Sequence, residues 1–254
     1  MSENKGKLLG SVFFVFLIFL LTFLIMNAKK STKKTVQLIE IEGNKLLSGN
    51  DYLTQSRLNN KAEYSGLTLA IIKDRIEKHP YVKYADVEFY KSHLVRVYLT
   101  EKKMDAVLVS GSNPLFISDD FELLPVLPKT KMVDLPVITN PDKSDTIKLY
   151  SLVRGEDITQ GLKIIDACKL VDNKFFKYLS EINLREGGDI VINFSGLKPP
   201  VVFGKYETAA KIVYLRNVLD YLTTSNSLNN TSYIDLRFSN KVYLGENQGT
   251  GVTE

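Results

Sequence analysis

From Leu8 to Ala28 the chain carries no charged side chain, and the stretch from Val12 to Met26 is apolar apart from Thr22. At about 1.5 Å per helical residue this run spans roughly the 30 Å hydrocarbon core of a bilayer. Nothing comparable follows, so the run predicts one uncleaved transmembrane helix over residues 8–28. A short tail, residues 1–7, would lie on one side and the bulk of the chain on the other. Lys5 and Lys7 make the short basic region expected of a secretory signal, but the apolar run is long for one. Met26-Asn27-Ala28 is also a poor small-x-small cleavage site. Charge leaves the orientation open. Lys29, Lys30, Lys33 and Lys34 outnumber the lysines before the span, which favours a cytosolic domain, whereas short N-terminal tails are usually retained when such a segment inserts.

The formal net charge is +4, but residues 1–34 hold six lysines against one glutamate, leaving 27 basic and 28 acidic residues beyond them. The folded part therefore lacks the basic excess that nucleic acid requires. The lysine cluster after the span suits lipid headgroups, or simply a solvated linker over residues 29–35. A single cysteine, Cys168, excludes an internal disulfide, and its apolar helical neighbours predict a buried structural thiol. Asn193-Phe-Ser195 and Asn230-Thr-Ser232 fit the glycosylation pattern, which matters only in a eukaryotic secretory setting.

Two modules follow. In residues 36–102, Val36–Glu42 alternates apolar and polar residues and ends at Gly43-Asn44, predicting a strand and a turn. Ser48–Leu58 predicts a short helix capped by Ser48, Asn50 or Asp51. Thr68–Lys78 predicts another, with Leu69, Ile72 and Ile76 at helical spacing and Pro80 stopping it. Tyr81–Tyr90 and Leu94–Leu99 predict two further strands. The order strand, helix, helix, strand, strand suits a small α+β unit with two helices on one face of a three-stranded sheet. Residues 103–244 are richer in strands: 106–109, 114–118, 135–139, then a meander of 181–185, 189–194 and 201–203, then 232–238 and 241–244. Helices are predicted over 158–171 and 209–222. We expect the second sheet to be mainly antiparallel with these helices packed on it, and the polar, glycine-rich tail, residues 245–254, to be mobile.

No set of residues converges on a reaction. His79 and His93 lie near no cysteine and at no ligand spacing, so no metal site is expected. No phosphate-cradling glycine motif and no nucleophile elbow occurs, hence no cofactor-binding, small-molecule or catalytic residue is assigned. Asp119-Asp120 suits a turn, since adjacent carboxylates point apart, and the spacing of Asp235 and Arg237 suits a local ion pair.

Several stretches, in order, resemble the FtsQ/DivIB family of bacterial cell-division proteins. Ile39-Glu-Ile-Glu-Gly-Asn44 is similar to the first strand and turn of that family's POTRA domain. Ile76-Glu-Lys-His-Pro-Tyr-Val82, followed by Ala85-Asp-Val87, resembles its second helix, Pro-x-Val and strand. Leu135-Pro136, Leu179-Ser-Glu-Ile182, and Val202-Phe-Gly204 with Lys211 and Leu215 resemble successive parts of its β domain. Ile234-Asp-Leu-Arg-Phe238 stands where the family carries an Ile-Asp-Leu-Arg-aromatic signature. The likeness covers roughly residues 1–244. It departs at Ser92-His93, where a proline is frequent, and at Glu101-Lys-Lys-Met-Asp105, where Glu-Arg-x-Pro is frequent.

The resemblance implies a POTRA (βααββ) domain over 36–102, a β domain over 103–244, an extracytoplasmic location for both and a cytoplasmic N-terminus. It also implies a non-enzymatic scaffold at the division septum that binds FtsB/DivIC-like and FtsL-like bitopic coiled-coil partners through the end of the β domain. By position, Arg237, Phe238, Asn240, Val242, Tyr243 and Leu244 are the candidate contacts. Lys241–Leu244 would be a terminal edge strand with backbone groups free for an added strand. Phe238, Val242 and Leu244 equally suit the core, while Tyr243 alternates to the opposite face. Two other readings are a POTRA adaptor of a secretion system and an anchored extracytoplasmic enzyme.

Overall fold

The computed structural model describes residues 3–27, 34–111, 113–142, 147–205 and 208–246. Helix α1 (Glu3–Asn27) leaves every described side chain from Val12 to Met26 exposed, and Thr22 Oγ1 satisfies itself on the Ile18 and Phe19 carbonyls at 3.0 and 2.9 Å. Among the described residues no helix is long and apolar enough to cross a membrane.

The first sheet follows from the alternation and the caps. Strands β1 (Leu38–Glu42), β2 (Val82–Phe89) and β3 (Leu94–Glu101) lie in the order β1-β3-β2, with β1 parallel and β2 antiparallel to the central strand. Helix α2 (Gly49–Gln55) is capped by Ser48, whose hydroxyl accepts from Asp51 N, and α3 (Leu69–Glu77) by Thr68, accepting from Ile71 N. Both helices turn apolar residues, including Tyr52, Ile72 and Ile76, onto Ile39, Ala85, Val95 and Val97. A short 3-10 turn, Lys61–Gly66, joins them; no apolar periodicity signals it. Gly43 ends β1 at φ +87, and a Cβ there would collide with the Leu99 carbonyl, so glycine is required.

The second sheet has nine strands. In chain order they are β4 (Met104–Val109), β5 (Pro114–Ser118), β6 (Leu123–Pro125), β7 (Val137–Thr139), β8 (Leu179–Asn183), β9 (Val191–Phe194), β10 (Val201–Val202), β11 (Thr231–Asp235) and β12 (Tyr243–Glu246). In space the order is β12-β11-β10-β9-β8-β7-β4-β5-β6. The predicted meander is present as β8-β9-β10. The sheet is nonetheless mixed, because β4–β7, β7–β8 and β10–β11 are parallel. The last two of these pairs are joined by crossover helices, α4 (Glu156–Val171) and α6 (Thr208–Thr224), which reverse the chain as antiparallel hairpins cannot. The helices bury Leu162, Ile165, Cys168, Ile212, Leu215 and Leu219 in one core with Ile182, Ile192, Phe203 and Ile234. Cys168 is a buried free thiol whose pKa burial pushes up to about 12, so it stays protonated at neutral pH. A one-turn helix, α5 (Asn173–Phe176), and β6 went unanticipated.

At the far end of this sheet, residues 150–153 run along residues 121–123. Leu123 N donates to Ser151 O at 2.9 Å, Tyr150 N to Leu123 O at 2.8 Å and Val153 N to Phe121 O at 2.9 Å. That end is therefore covered.

The two modules share core. Met104, Phe116 and Leu124 of the second pack into the apolar cluster of the first. Tyr81, fully buried, stacks edge-on against Phe116 at 5.9 Å, and its hydroxyl accepts from Leu127 N at 2.8 Å and reaches Pro125 O at 2.9 Å. Glu101 Oε1 collects Lys45 N, Leu46 N and the Tyr52 hydroxyl at 2.9, 2.9 and 2.6 Å, tying the end of β3 to the loop before α2.

His79, 5% exposed, lies between the rings of Tyr52 and Tyr81. Its Nδ1 accepts from Tyr81 N at 3.1 Å, which leaves Nε2–H to donate to Gln55 Oε1 at 2.8 Å: the neutral tautomer. Burial lowers its pKa to about 4. The unfolded chain takes up the proton near 6.5, so the contribution to stability is complete above that pH and is lost as pH falls towards 4. We expect a loss on the order of 2–3 kcal/mol across that window. Urea denaturation at pH 7.5 and 4.5 should show it, and His79→Gln should flatten the profile.

Candidate partner-binding edge

β12 forms the other end of the nine-stranded sheet. It runs antiparallel to β11 with Asp235 opposite Tyr243, Ile234 opposite Leu244 and Tyr233 opposite Gly245, and among the described residues no strand lies beyond it. The strand begins two residues later than the alternation of Lys241–Leu244 predicts, because residues 238–240 fold as a turn with Asn240 at φ +59 and Lys241 N bonded to Phe238 O. A Cβ on Gly245 would collide with the Tyr233 ring, so the glycine lets the aromatic side chain lie across the strand end.

The six candidate contacts fall close together but behave differently. Phe238 is 51% exposed, Tyr243 48% and Leu244 43%. The core alternative therefore fails for Phe238 and Leu244. Leu244 faces the same side as buried Ile234 but stays exposed because, among the described residues, the sheet ends there. Val242 does pack partly against the core. The Phe238 and Tyr243 rings meet edge-on at 5.1 Å, forming one aromatic surface at the turn.

Arg237 is an internal brace. Its guanidinium holds Asp235 at 3.0 and 2.6 Å and reaches Asp189 at 3.2 Å, and its backbone N donates to Asp235 Oδ1 at 3.0 Å. These bonds hold the Asp235 carboxyl below the usual carboxylate range. Gly204, at φ +76, gives the Arg237 side chain room. The local ion pair expected from the spacing is thus present, and it fixes the turn that leads into β12. Lys211, buried and donating to Phe203 O at 3.1 Å, lies beneath. Beside the turn a groove of about 500 Å³ is lined by Lys211, Tyr214, Leu236, Phe238, Asn240 and Lys241. Tyr214 and exposed Tyr233 escaped the sequence reading; the alternation of β11 puts Tyr233 opposite in facing to Ile234 and could have found it. Among the described residues no group of three or more His, Cys, Asp or Glu could hold a metal ion.

The architecture is thus an apolar helix, a βααββ unit and a mixed sheet whose terminal strand β12 has no further strand beside it among the described residues. Residues 34–102 match the family profile described as "POTRA domain, FtsQ-type". The chain is also 24% identical over 179 residues to the cell division protein FtsQ of Geotalea daltonii, covering 70% of this chain and 64% of that relative. The two matches agree with the motifs in their likeness to FtsQ-type cell-division proteins.

Proposed function

We propose that the chain is a bitopic, non-enzymatic scaffold of the division complex. Helix α1 would anchor it in the cytoplasmic membrane with residues 1–7 inside, and the POTRA module (36–102) and β module (103–244) outside. Its working surface is the open β12 edge, which takes up a strand from an FtsB/DivIC-like partner held near an FtsL-like one, in support of septal wall synthesis. The observation that carries this reading is the outer side of β12, unpaired among the described residues, with Phe238, Tyr243 and Leu244 exposed around it. An added strand gains main-chain hydrogen bonds there, and the exposed side chains give it apolar pockets. The aromatic pair is the kind of anchor on which interface energy concentrates. Asn240 and the groove beside it would receive residues flanking the strand, while Arg237 would act by holding the turn.

Photo-crosslinking from position 243 in native membranes, followed by mass spectrometry, tests this. Capture of a small bitopic coiled-coil protein is the expected result. Its absence, with the β module shown to be extracytoplasmic by protease access, would sink the assignment of this edge.

A further inference from the structure

Between the two modules lies a cleft of about 550 Å³, lined by Ser56, Arg57, Arg75, Lys78 and His79 of the first and by Leu127 and Tyr150 of the second. Its charge is one-sided: Arg57, Arg75 and Lys78 face a single carboxylate, Asp74, which pairs with Lys78 at 2.7 Å. Arg75 Nη1 donates to the Arg57 carbonyl at 2.8 Å, which brings the Arg75 guanidinium to the Arg57 backbone. Arg57 adopts φ +55, an uncommon backbone conformation for a non-glycine residue. No carboxylate among the described residues pairs with its guanidinium. Ser56, 7% exposed, carries a buried hydroxyl with no hydrogen-bond partner. A buried hydroxyl left unpaired is costly, and the native fold normally satisfies it with protein, water or ligand.

We propose that this cleft is a binding site for an oxyanion, a phosphate or carboxylate group carried by a ligand that enters between the modules. The Ser56 hydroxyl donates to it, and the Arg57 and Arg75 guanidinium groups supply charge and directed N–H donors. Tyr150 and Leu127 offer an apolar wall for the body of the ligand. The site is remote in sequence from β12 and independent of what docks there.

The test is NMR of the full chain in detergent micelles, with 15N-labelled arginine, titrated at constant ionic strength with inorganic phosphate and separately with acetate. Saturable shifts of the Arg57 and Arg75 Nε resonances are expected with at least one probe. Response to phosphate alone identifies a phosphate ester, to acetate alone a carboxylate, and to both a general oxyanion site. Ser56→Ala and Arg57→Gln should each weaken binding about tenfold, as loss of one charge-assisted hydrogen bond does. No saturable shift with either probe would overturn the proposal. So would undiminished affinity in Ser56→Ala, the outcome if that hydroxyl is only a packing element.

Discussion

Replacing Leu244 with proline should abolish partner capture at the β12 edge while leaving the rest of the fold intact. The position is the second residue of a four-residue terminal strand, paired on one side only with Ile234. Proline removes a backbone donor and fixes φ near −65°, so the strand can no longer present a regular ladder to an incoming chain. Almost all of the buried core lies on the other side of β11, so the thermal midpoint should barely move. Tyr243→Ala is the gentler companion. It removes one ring of the exposed aromatic pair but no ladder bond, and an interface anchor of that type is worth about 2 kcal/mol or more, roughly thirtyfold in affinity. Co-purification with the partner from solubilised membranes, beside the thermal midpoint of each variant, reads both effects. Wild-type capture by the proline variant would remove β12 from the binding surface.

The second large effect is expected at Tyr81. This first-module side chain reaches into the second, fully buried, with its ring against Phe116 and its hydroxyl between Leu127 N and Pro125 O. Tyr81→Ala deletes the ring and strands the Leu127 amide, so we expect about 3–5 kcal/mol of destabilisation. Because Met104, Phe116 and Leu124 complete the apolar cluster of the first module, the modules should unfold together in the wild type and in two steps in the variant. Tyr81→Phe keeps the packing and should cost about 1–2 kcal/mol with one transition preserved. Calorimetry on the three proteins separates these outcomes. An unchanged midpoint in Tyr81→Ala would mean that the modules fold independently.

What the sequence revealed follows from where the information sits. The first sheet was legible almost residue by residue, because its strands alternate cleanly and its helices carry Ser48 and Thr68 as caps and Pro80 as a stop. The parallel pairs of the second sheet were not. β7 and β10 are three and two residues long, too short for alternation to reveal a partner, and their neighbours arrive after long crossovers. The last strand was misplaced because Lys241-Val-Tyr-Leu244 alternates as a strand would, whereas Asn240 and the bond from Lys241 N to Phe238 O commit the first part to a turn. The cluster of Phe238, Tyr243 and Leu244 was foreseen by position, but which of them would be left uncovered depends on the sheet ending there. The Ser56–Arg57–Arg75 cleft is built from two helices and a distant loop, and no local pattern announces it.

The covering of β6 by residues 150–153 bears on stoichiometry. A sheet with two open ends can accept a strand at one and offer one at the other, and such head-to-tail pairing propagates without limit. Here, among the described residues, one end is closed by the chain itself, so this sheet offers a single valence. Pairing at β12 then yields only closed products, one guest strand per chain or two chains edge to edge. A crowded population of this chain would then saturate at that edge rather than polymerise through this sheet.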